Sequence, residues 1–342
     1  MTLETQLLVE ASKASQKLLG GPPENISPIT AGANSRIYKV GYQGISYALK
    51  RYPLTNPDDP RDRQGCERRA LELMIAEGIS TVPHFIVCDQ NTGYSLLEWI
   101  DGGEVSPVED HHIVQAGKFI QQTALLPCNE HTMKFPLASE ACLSGNEVLR
   151  QVATRRQRLI DIAKDQPILA DFFTDGFTKV LDNCIRSSQT QASRNNIDMG
   201  YVLDQKNRRL IPADFGFHNS LRLKDGSLRF IDFEYFGWDD PVKLSVDFLI
   251  HPSVNLTRPQ YEIVLSALNR AYIAVPDFKA RLKAWTPMFI ARWALIMLNV
   301  FLPSYQKARA HIEIYADLDF AKKNQIEKVT NFLQTHSKQW GS

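Results

Sequence analysis

The chain has almost no net charge, with 39 basic side chains against 38 acidic ones in 342 residues. That balance removes the electrostatic case for nucleic acid or an anionic membrane as partner. Cysteine is scarce as well. The five thiols, Cys66, Cys88, Cys128, Cys142 and Cys184, are dispersed and form no C-x-x-C pair. Such a set argues against a disulfide frame or a zinc site and fits a reducing compartment. The opening residues carry neither a basic run nor a long apolar core, so no secretory signal is expected. No apolar stretch runs unbroken across a bilayer's width: the greasiest, residues 285–302, is interrupted by Pro287, Arg292 and Asn299 and reads as a buried helix. A cytoplasmic protein is expected. Internal repeats and long low-complexity linkers are also absent. What remains, 44% hydrophobic and 23% charged, is ordinary for a globular chain long enough for two lobes.

The order of elements supports two lobes. Residues 4–18 read as a helix, stopped by Gly20-Gly-Pro-Pro23. Residues 36–40 and 45–52 alternate in the strand period around the turn from Gly41 to Gly44, and residues 82–88 and 94–99 read as two more strands. Between them residues 66–77 form a helical pattern, with Ala70, Leu71, Leu73 and Met74 as its inner face. Beyond Asp101-Gly-Gly103 the chain turns mainly helical, with helices near 108–125, 143–164, 167–187, 243–251, 258–273, 288–301 and 318–336. Residues 187–196, rich in Ser, Gln and Thr, read as an exposed connection. The fold class is therefore α+β. A small β-rich lobe spans residues 1–100, a hinge lies near 98–103, and a larger helical lobe spans 101–342.

The chemistry concentrates in Asp214-Phe-Gly-Phe-His-Asn219 and, twelve residues on, Ile231-Asp232-Phe-Glu234. One carboxylate, an amide five positions later and a second carboxylate at a strand end are what phosphoryl transfer needs. The first orients a hydroxyl nucleophile, and the other two hold Mg²⁺ on the nucleotide phosphates. The D-x4-N spacing is that of the kinase catalytic loop. Residues 220–223 and 227–231 alternate on either side of Lys224-Asp225-Gly226, a hairpin signal. The hairpin returns Asn219 and Asp232 to the same end of paired strands, two oxygen ligands for one hard cation.

The small lobe should then supply a cation for the phosphates. Lys50 ends Tyr47-Ala-Leu-Lys50, a relative of the kinase V-A-I-K signature, and Glu67 lies in the next helix, able to pair with it. Thr30-Ala-Gly-Ala-Asn-Ser35 is not a full G-x-G-x-x-G, but its small residues admit a phosphate to the backbone. Gly32, Asn34 and Ser35 are its candidate contacts. In Leu96-Leu-Glu-Trp-Ile-Asp101, the Glu98 carbonyl and the Ile100 amide are candidates for an adenine edge. His111-His112 reads as a surface pair without a third metal ligand. His218 is left as a local packing or hydrogen-bonding residue.

Taken together, these motifs resemble the aminoglycoside phosphotransferase and choline kinase-like family, with its two-lobed protein-kinase-like fold, over roughly residues 29–248. Ile211-Pro-Ala-Asp-Phe-Gly-Phe-His-Asn219 looks like the family's H-G-D-x-x-x-x-N loop, and Phe230-Ile-Asp-Phe-Glu234 like its metal-binding segment. Gly237-Trp-Asp-Asp-Pro241 with Asp247 looks like its G-D-P…D tail, whose last Asp usually supports the catalytic loop. Two departures stand out. Pro212-Ala213 replaces the usual His-Gly, which implies a divergent subgroup, and the end of the chain, from His336, lacks the acidic character expected where an aminoglycoside is gripped.

The resemblance implies an ATP- and Mg²⁺-dependent kinase acting on a hydroxyl of a small molecule such as an amino sugar, sugar, choline-like alcohol or aminoglycoside-like acceptor. Asp214 would be catalytic, Asn219 and Asp232 metal ligands, and Lys50 with Glu67 the phosphate-binding pair. The acidic residues Asp239, Asp240, Glu104 and Glu109 lean towards a cationic or polyhydroxyl acceptor. The alternative is a nucleotide-binding regulatory module that has lost catalysis, with Pro212 as its symptom. A protein kinase proper is disfavoured by the absence of an A-P-E-like segment after Asp232.

Overall fold

A computed structural model of the chain describes residues 3–29, 35–55, 59–309 and 317–340. Gly32 and Asn34 lie outside the described residues, as does the end of the C-terminal string beyond Trp340. The chain divides into two units, the first built from residues 1–139 and 210–238, the second from residues 140–209 and 239–342.

In the first unit helix α1 (Leu3–Leu19) precedes five antiparallel strands: β1 (Asn25–Ile29), β2 (Arg36–Tyr42), β3 (Ile45–Arg51), β4 (Phe85–Asp89) and β5 (Tyr94–Glu98). Their order in the sheet is β1-β2-β3-β5-β4. Strand periodicity gives each face its task. Tyr38, Val40, Leu49, Tyr94 and Leu96 close a core with Ala11 of α1. One step out of phase, Ile37, Lys50 and Ser95 stand level across β2, β3 and β5. Helix α2 (Arg63–Ala76) covers that second face. Asp62 caps it by accepting from the Gly65 N–H at 2.9 Å. Gln64 secures it to the sheet by donating to Ser95 Oγ and the Tyr94 carbonyl, both at 3.0 Å.

The rest of this unit is helix α3 (Asp110–Ala124), then β6 (Arg209–Ile211), β7 (Ser220–Arg222), β8 (Leu228–Phe230) and β9 (Gly237–Asp239). The expected hairpin is β7–β8, with Ser220 opposite Phe230 and Gly226 at φ 80° in its turn. Phe119 of α3 stacks on Phe230 and Phe215, with ring centroids 4.3 and 5.3 Å apart, and so fixes the hairpin and the D-x4-N loop to one helix. β1 and the β6–β9 pair escape the sequence reading, because segments of three to five residues carry too few alternations.

The second unit holds α4 (Gly145–Ala163), α5 (Pro167–Phe172), α6 (Thr178–Arg194), α7 (Pro241–Ile250), α8 (Arg258–Ala271), α9 (Phe278–Met297), α10 (Pro303–Arg309) and α11 (Leu318–Trp340). Two expectations change here for one reason. Helix α9 begins ten residues before the expected start and runs through Pro287, and α6 continues through the stretch read as an exposed connection. A proline disrupts the helical hydrogen bonds around it. Next to it, the Met288 N–H donates to Ser188 Oγ of α6 at 3.0 Å, deep in the packing. The polar residue that suggested a loop satisfies the backbone that suggested a break. The expected helix over 167–187 is also divided, by a wide turn at 173–177 in which Gly176 takes φ 113°. The segment from Phe278 to Phe301 is long and apolar enough to cross a membrane, but 78% of its most apolar window is buried within the protein.

Asp239 and Asp240 do not face an acceptor. Both are fully buried. Asp240 caps α7 by accepting from Val242 N–H at 2.9 Å and pairs with Arg281. Asp239 Oδ1 accepts from the amides of Cys142 and Asp240 at 2.8 and 2.7 Å, while its Oδ2 has no hydrogen-bond partner among the described residues. Asp247, the last residue of the G-D-P…D tail, accepts from Trp293 Nε1 at 2.7 Å and pairs with Lys243 at 3.2 Å, both in its own unit.

Burial pushes the Asp239 carboxyl up to about 7 against the pull of Lys243. The folded state therefore holds a proton that the unfolded chain releases near its ordinary value of 3.8. The stabilisation from Asp239 is complete below that value and is lost as pH rises through about 7. The substitution Asp239→Asn keeps an acceptor for both amides and should remove this slope. Urea unfolding across that range should show the wild type losing stability relative to the variant, by on the order of a few kcal/mol.

Candidate active site

An ammonium group cannot be buried without partners, and Lys50 is 3% exposed. Strand phase turns it away from the α1 core, and Glu67 of α2 meets it. The Lys50 Nζ donates to Glu67 Oε2 at 2.7 Å and Asp232 Oδ1 at 2.6 Å, with Glu234 Oε2 at 3.4 Å. Burial opposes the charge, but Asp232 and Glu67 outweigh it and hold the Lys50 pKa well above the ordinary lysine value. Tyr52 donates to Glu67 Oε2 at 2.6 Å, and burial beside Glu67 raises its phenol well above the usual range. Glu234 is buried too. It accepts from Ser35 Oγ at 2.8 Å and from Arg63 at 3.0 Å, and Lys50 and Arg63 overcome its burial to lower its pKa.

Asp232 sits at φ 69°, a left-handed conformation that a non-glycine residue rarely takes. Both neighbouring amides hold it there. Ile231 N–H donates to the Asn219 carbonyl at 3.0 Å, and Phe233 N–H to Glu67 Oε1 at 3.1 Å. Burial, reinforced by Glu234 and Glu67 and opposed by Lys50, raises the Asp232 carboxyl to about 6.

The Asp214–Asn219 loop lies against this cluster through the Ile231–Asn219 bond. Asn219 Nδ2 donates to the Asp214 carbonyl at 2.9 Å. Its Oδ1, the atom able to ligate a cation, makes no hydrogen bond among the described residues. The half-exposed Asp214 carboxylate meets His218 Nε2 at 3.1 Å. His218, left without a role by the sequence, is thus a direct neighbour of the expected catalytic carboxylate.

The structure brings Lys50, Glu67, Asp232 and Ser35 together in one cluster and places Asn219 beside it. The Ser35 hydroxyl is turned to Glu234. Glu98 ends β5, and its side chain accepts from His84 N–H and Arg229, both at 3.0 Å. Ile100 follows, its carbonyl bonded to Gly102 N–H at 3.0 Å. The sequence missed Glu234, Arg63 and Tyr52. Glu234 had a signal in its position two residues after Asp232 in an extended string. Arg63 and Tyr52 had none, since arginine at a helix start and tyrosine after a strand are common anywhere.

A family model described as a phosphotransferase enzyme family matches residues 25–285. The chain belongs to that family. A comparison with curated protein sequences finds no match. Solved structures similar to it include a spectinomycin phosphotransferase, APH(9)-Ia, bound to ADP and spectinomycin, at 13% identity and TM-score 0.61 over 96% of this chain and 98% of that one. A choline/ethanolamine kinase family protein from Mesorhizobium loti matches at 16% identity and TM-score 0.57, over 96% and 95% of the two chains. The choline kinase LicA from Streptococcus pneumoniae matches at 14% identity and TM-score 0.58, over 97% and 100%. At such identities the likeness is one of fold. It bears out the protein-kinase-like class, with an antiparallel sheet in the N-terminal region and a mainly helical C-terminal region.

In this phosphotransferase family member the buried cluster should also carry stability. The substitution Lys50→Met leaves three carboxylates without their shared cation and should cost about 3–5 kcal/mol. Tyr52→Phe removes one hydrogen bond and should cost about 1–2 kcal/mol. Denaturant unfolding of the two variants measures both losses. Equal losses would contradict the central place of the Lys50 charge.

Proposed function

We propose that the protein is a Mg²⁺- and ATP-dependent kinase that transfers a phosphoryl group to a hydroxyl of a small molecule. The observation that carries this reading is the Lys50 ammonium held jointly by Glu67 and Asp232, with the Asp214–Asn219 loop bonded to the segment that bears Asp232. Residues 1–100 act as the nucleotide-binding lobe and residues 101–342 as the lobe carrying the catalytic loop and the acceptor. The backbone of Glu98 and Ile100 meets the adenine edge.

Lys50 binds α- and β-phosphate oxygens, and Glu67 keeps it oriented from a helix fixed at both ends of the contact. Asp232 and Asn219 fit Mg²⁺ by their chemistry, since a carboxylate and an amide oxygen are hard donors. The ion when bound would neutralise charge on the phosphates. Asp214 accepts the hydroxyl's hydrogen bond and orients it in line with the γ-phosphate, while His218 holds one carboxylate oxygen in place. The gain comes from alignment and charge neutralisation, with no covalent enzyme intermediate. The acceptors named for structurally similar proteins, spectinomycin, choline and ethanolamine, define the range of hydroxyl compounds to try.

The test is a coupled assay of ADP release over a panel of amino sugars, sugars, choline-like alcohols and aminoglycosides. An acceptor should stimulate release in the presence of Mg²⁺. Asp214→Ala should lower that rate by roughly 10²–10⁴-fold while nucleotide binding persists. Turnover by Asp214→Ala close to that of the wild type would sink the assignment.

A further inference from the structure

A cavity of about 540 Å³ opens between the N-terminal end of α3, residues 101–103 and the β7–β8 turn, all within the first unit. Its walls are held by backbone contacts. Gly103 and Arg222 exchange two main-chain hydrogen bonds, at 2.9 and 2.8 Å. Gln115 of α3 donates to the Gly226 carbonyl at 3.1 Å and accepts from Leu228 N–H at 2.8 Å, so the turn and the start of β8 are tied to the helix. The cavity is preformed.

His112 lines it, and the expectation of a surface pair holds only for His111. His112 is fully buried, because its Nδ1 accepts the Glu109 N–H at 3.0 Å and caps α3. That bond puts the proton of the neutral ring on Nε2. Burial first, then His111 and Arg222, lower the His112 pKa against Glu109, so the neutral form persists. Among the described residues the Nε2–H has no hydrogen-bond partner. A buried donor left unpaired is costly and rare. Here the residue that carries it lines a cavity large enough to admit a partner.

The cations beside it indicate which partner. Arg222 and Lys224 line the same cavity, and among the described residues neither has an ion pair. Asp101 and Glu109 also line it, with Glu109 Oε2 at 3.4 Å from His111 Nδ1. These carboxylates balance the lining and repel a polyanion. We infer that the cavity is a binding site for a small ligand bearing one oxyanion group, a carboxylate or a phosphate, held by His112 Nε2–H, Arg222 and Lys224. The volume leaves room for a body beyond the oxyanion. None of these residues belongs to the Lys50 cluster or the Asp214 loop, so the site stands independently of the proposed reaction.

The ¹⁵N-labelled 342-residue chain is titrated with inorganic phosphate and, separately, with acetate, following the amide resonances of Gly103 and Gly226. At least one probe should saturate with a Kd in the millimolar range, and the tighter probe identifies the oxyanion class. Arg222→Gln, on the turn, should weaken that probe roughly tenfold with ATP affinity unchanged. His112→Asn, whose amide oxygen can still accept from Glu109 N–H, should weaken it similarly. Failure of both probes to saturate by about 50 mM, unchanged affinity in Arg222→Gln, or displacement of the probe by ATP would overturn the inference.

Discussion

A single buried ammonium organises the first unit. Lys50 needs carboxylates around it, and the three that surround it come from two places far apart in sequence: α2 and the string after the β7–β8 hairpin. Two of the carboxylates have a second task. Glu67 also accepts from Tyr52 and from the Phe233 amide, and Glu234 also accepts from Ser35 and Arg63. The strand phase of β3, the placement of α2 and the left-handed turn at Asp232 are therefore one constraint seen from three sides.

On the proposed reading, the charge count suits a site that receives a cation together with its nucleotide. Two cations, Lys50 and Arg63, stand among three carboxylates, leaving an excess of negative charge in a place with little water. A buried ion network of this kind is a weak contributor to net stability, although breaking it is costly. It does keep every group in position for exchange. On the proposed reading, phosphate oxygens would take over the lysine and a divalent cation Asp232, with Glu67 and Tyr52 left in place. The strain at Asp232 is consistent with that purpose, since unusual backbone persists where its surroundings fix it.

Much of this was legible in the sequence, for reasons that differ by residue. Lys50, Glu67, Asp214, Asn219 and Asp232 stood out because order and spacing along the chain carry information that no single residue does. The hairpin was legible because Asp-Gly between alternating strands encodes a turn. The misses have a common cause. Asp239, Asp240, His112 and Ser188 are polar residues that the sequence assigned to the surface or to a loop, and each is buried because a backbone group needed it. Asp239 satisfies the Cys142 and Asp240 amides, Asp240 the start of α7, His112 the start of α3, and Ser188 the N–H beside Pro287. Sequence patterns report where apolar surface must go. They do not report which backbone groups will lack partners, because that depends on packing between elements remote in sequence.

The β7–β8 hairpin joins both sites described here. Each strand is three residues long, which spans only about 10 Å. At one end the Ile231 amide meets the Asn219 carbonyl beside Asp232, and at the other the turn walls the cavity that holds His112. An element so short has little freedom to bend, and Phe119 and Gln115 both fasten it to α3. The position of Asn219 and the shape of the cavity are thus set by the same hairpin and the same helix. Whatever occupies the cavity rests on the scaffold that places the expected metal ligand, so α3 belongs to the architecture of the site although it contributes no residue to the cluster.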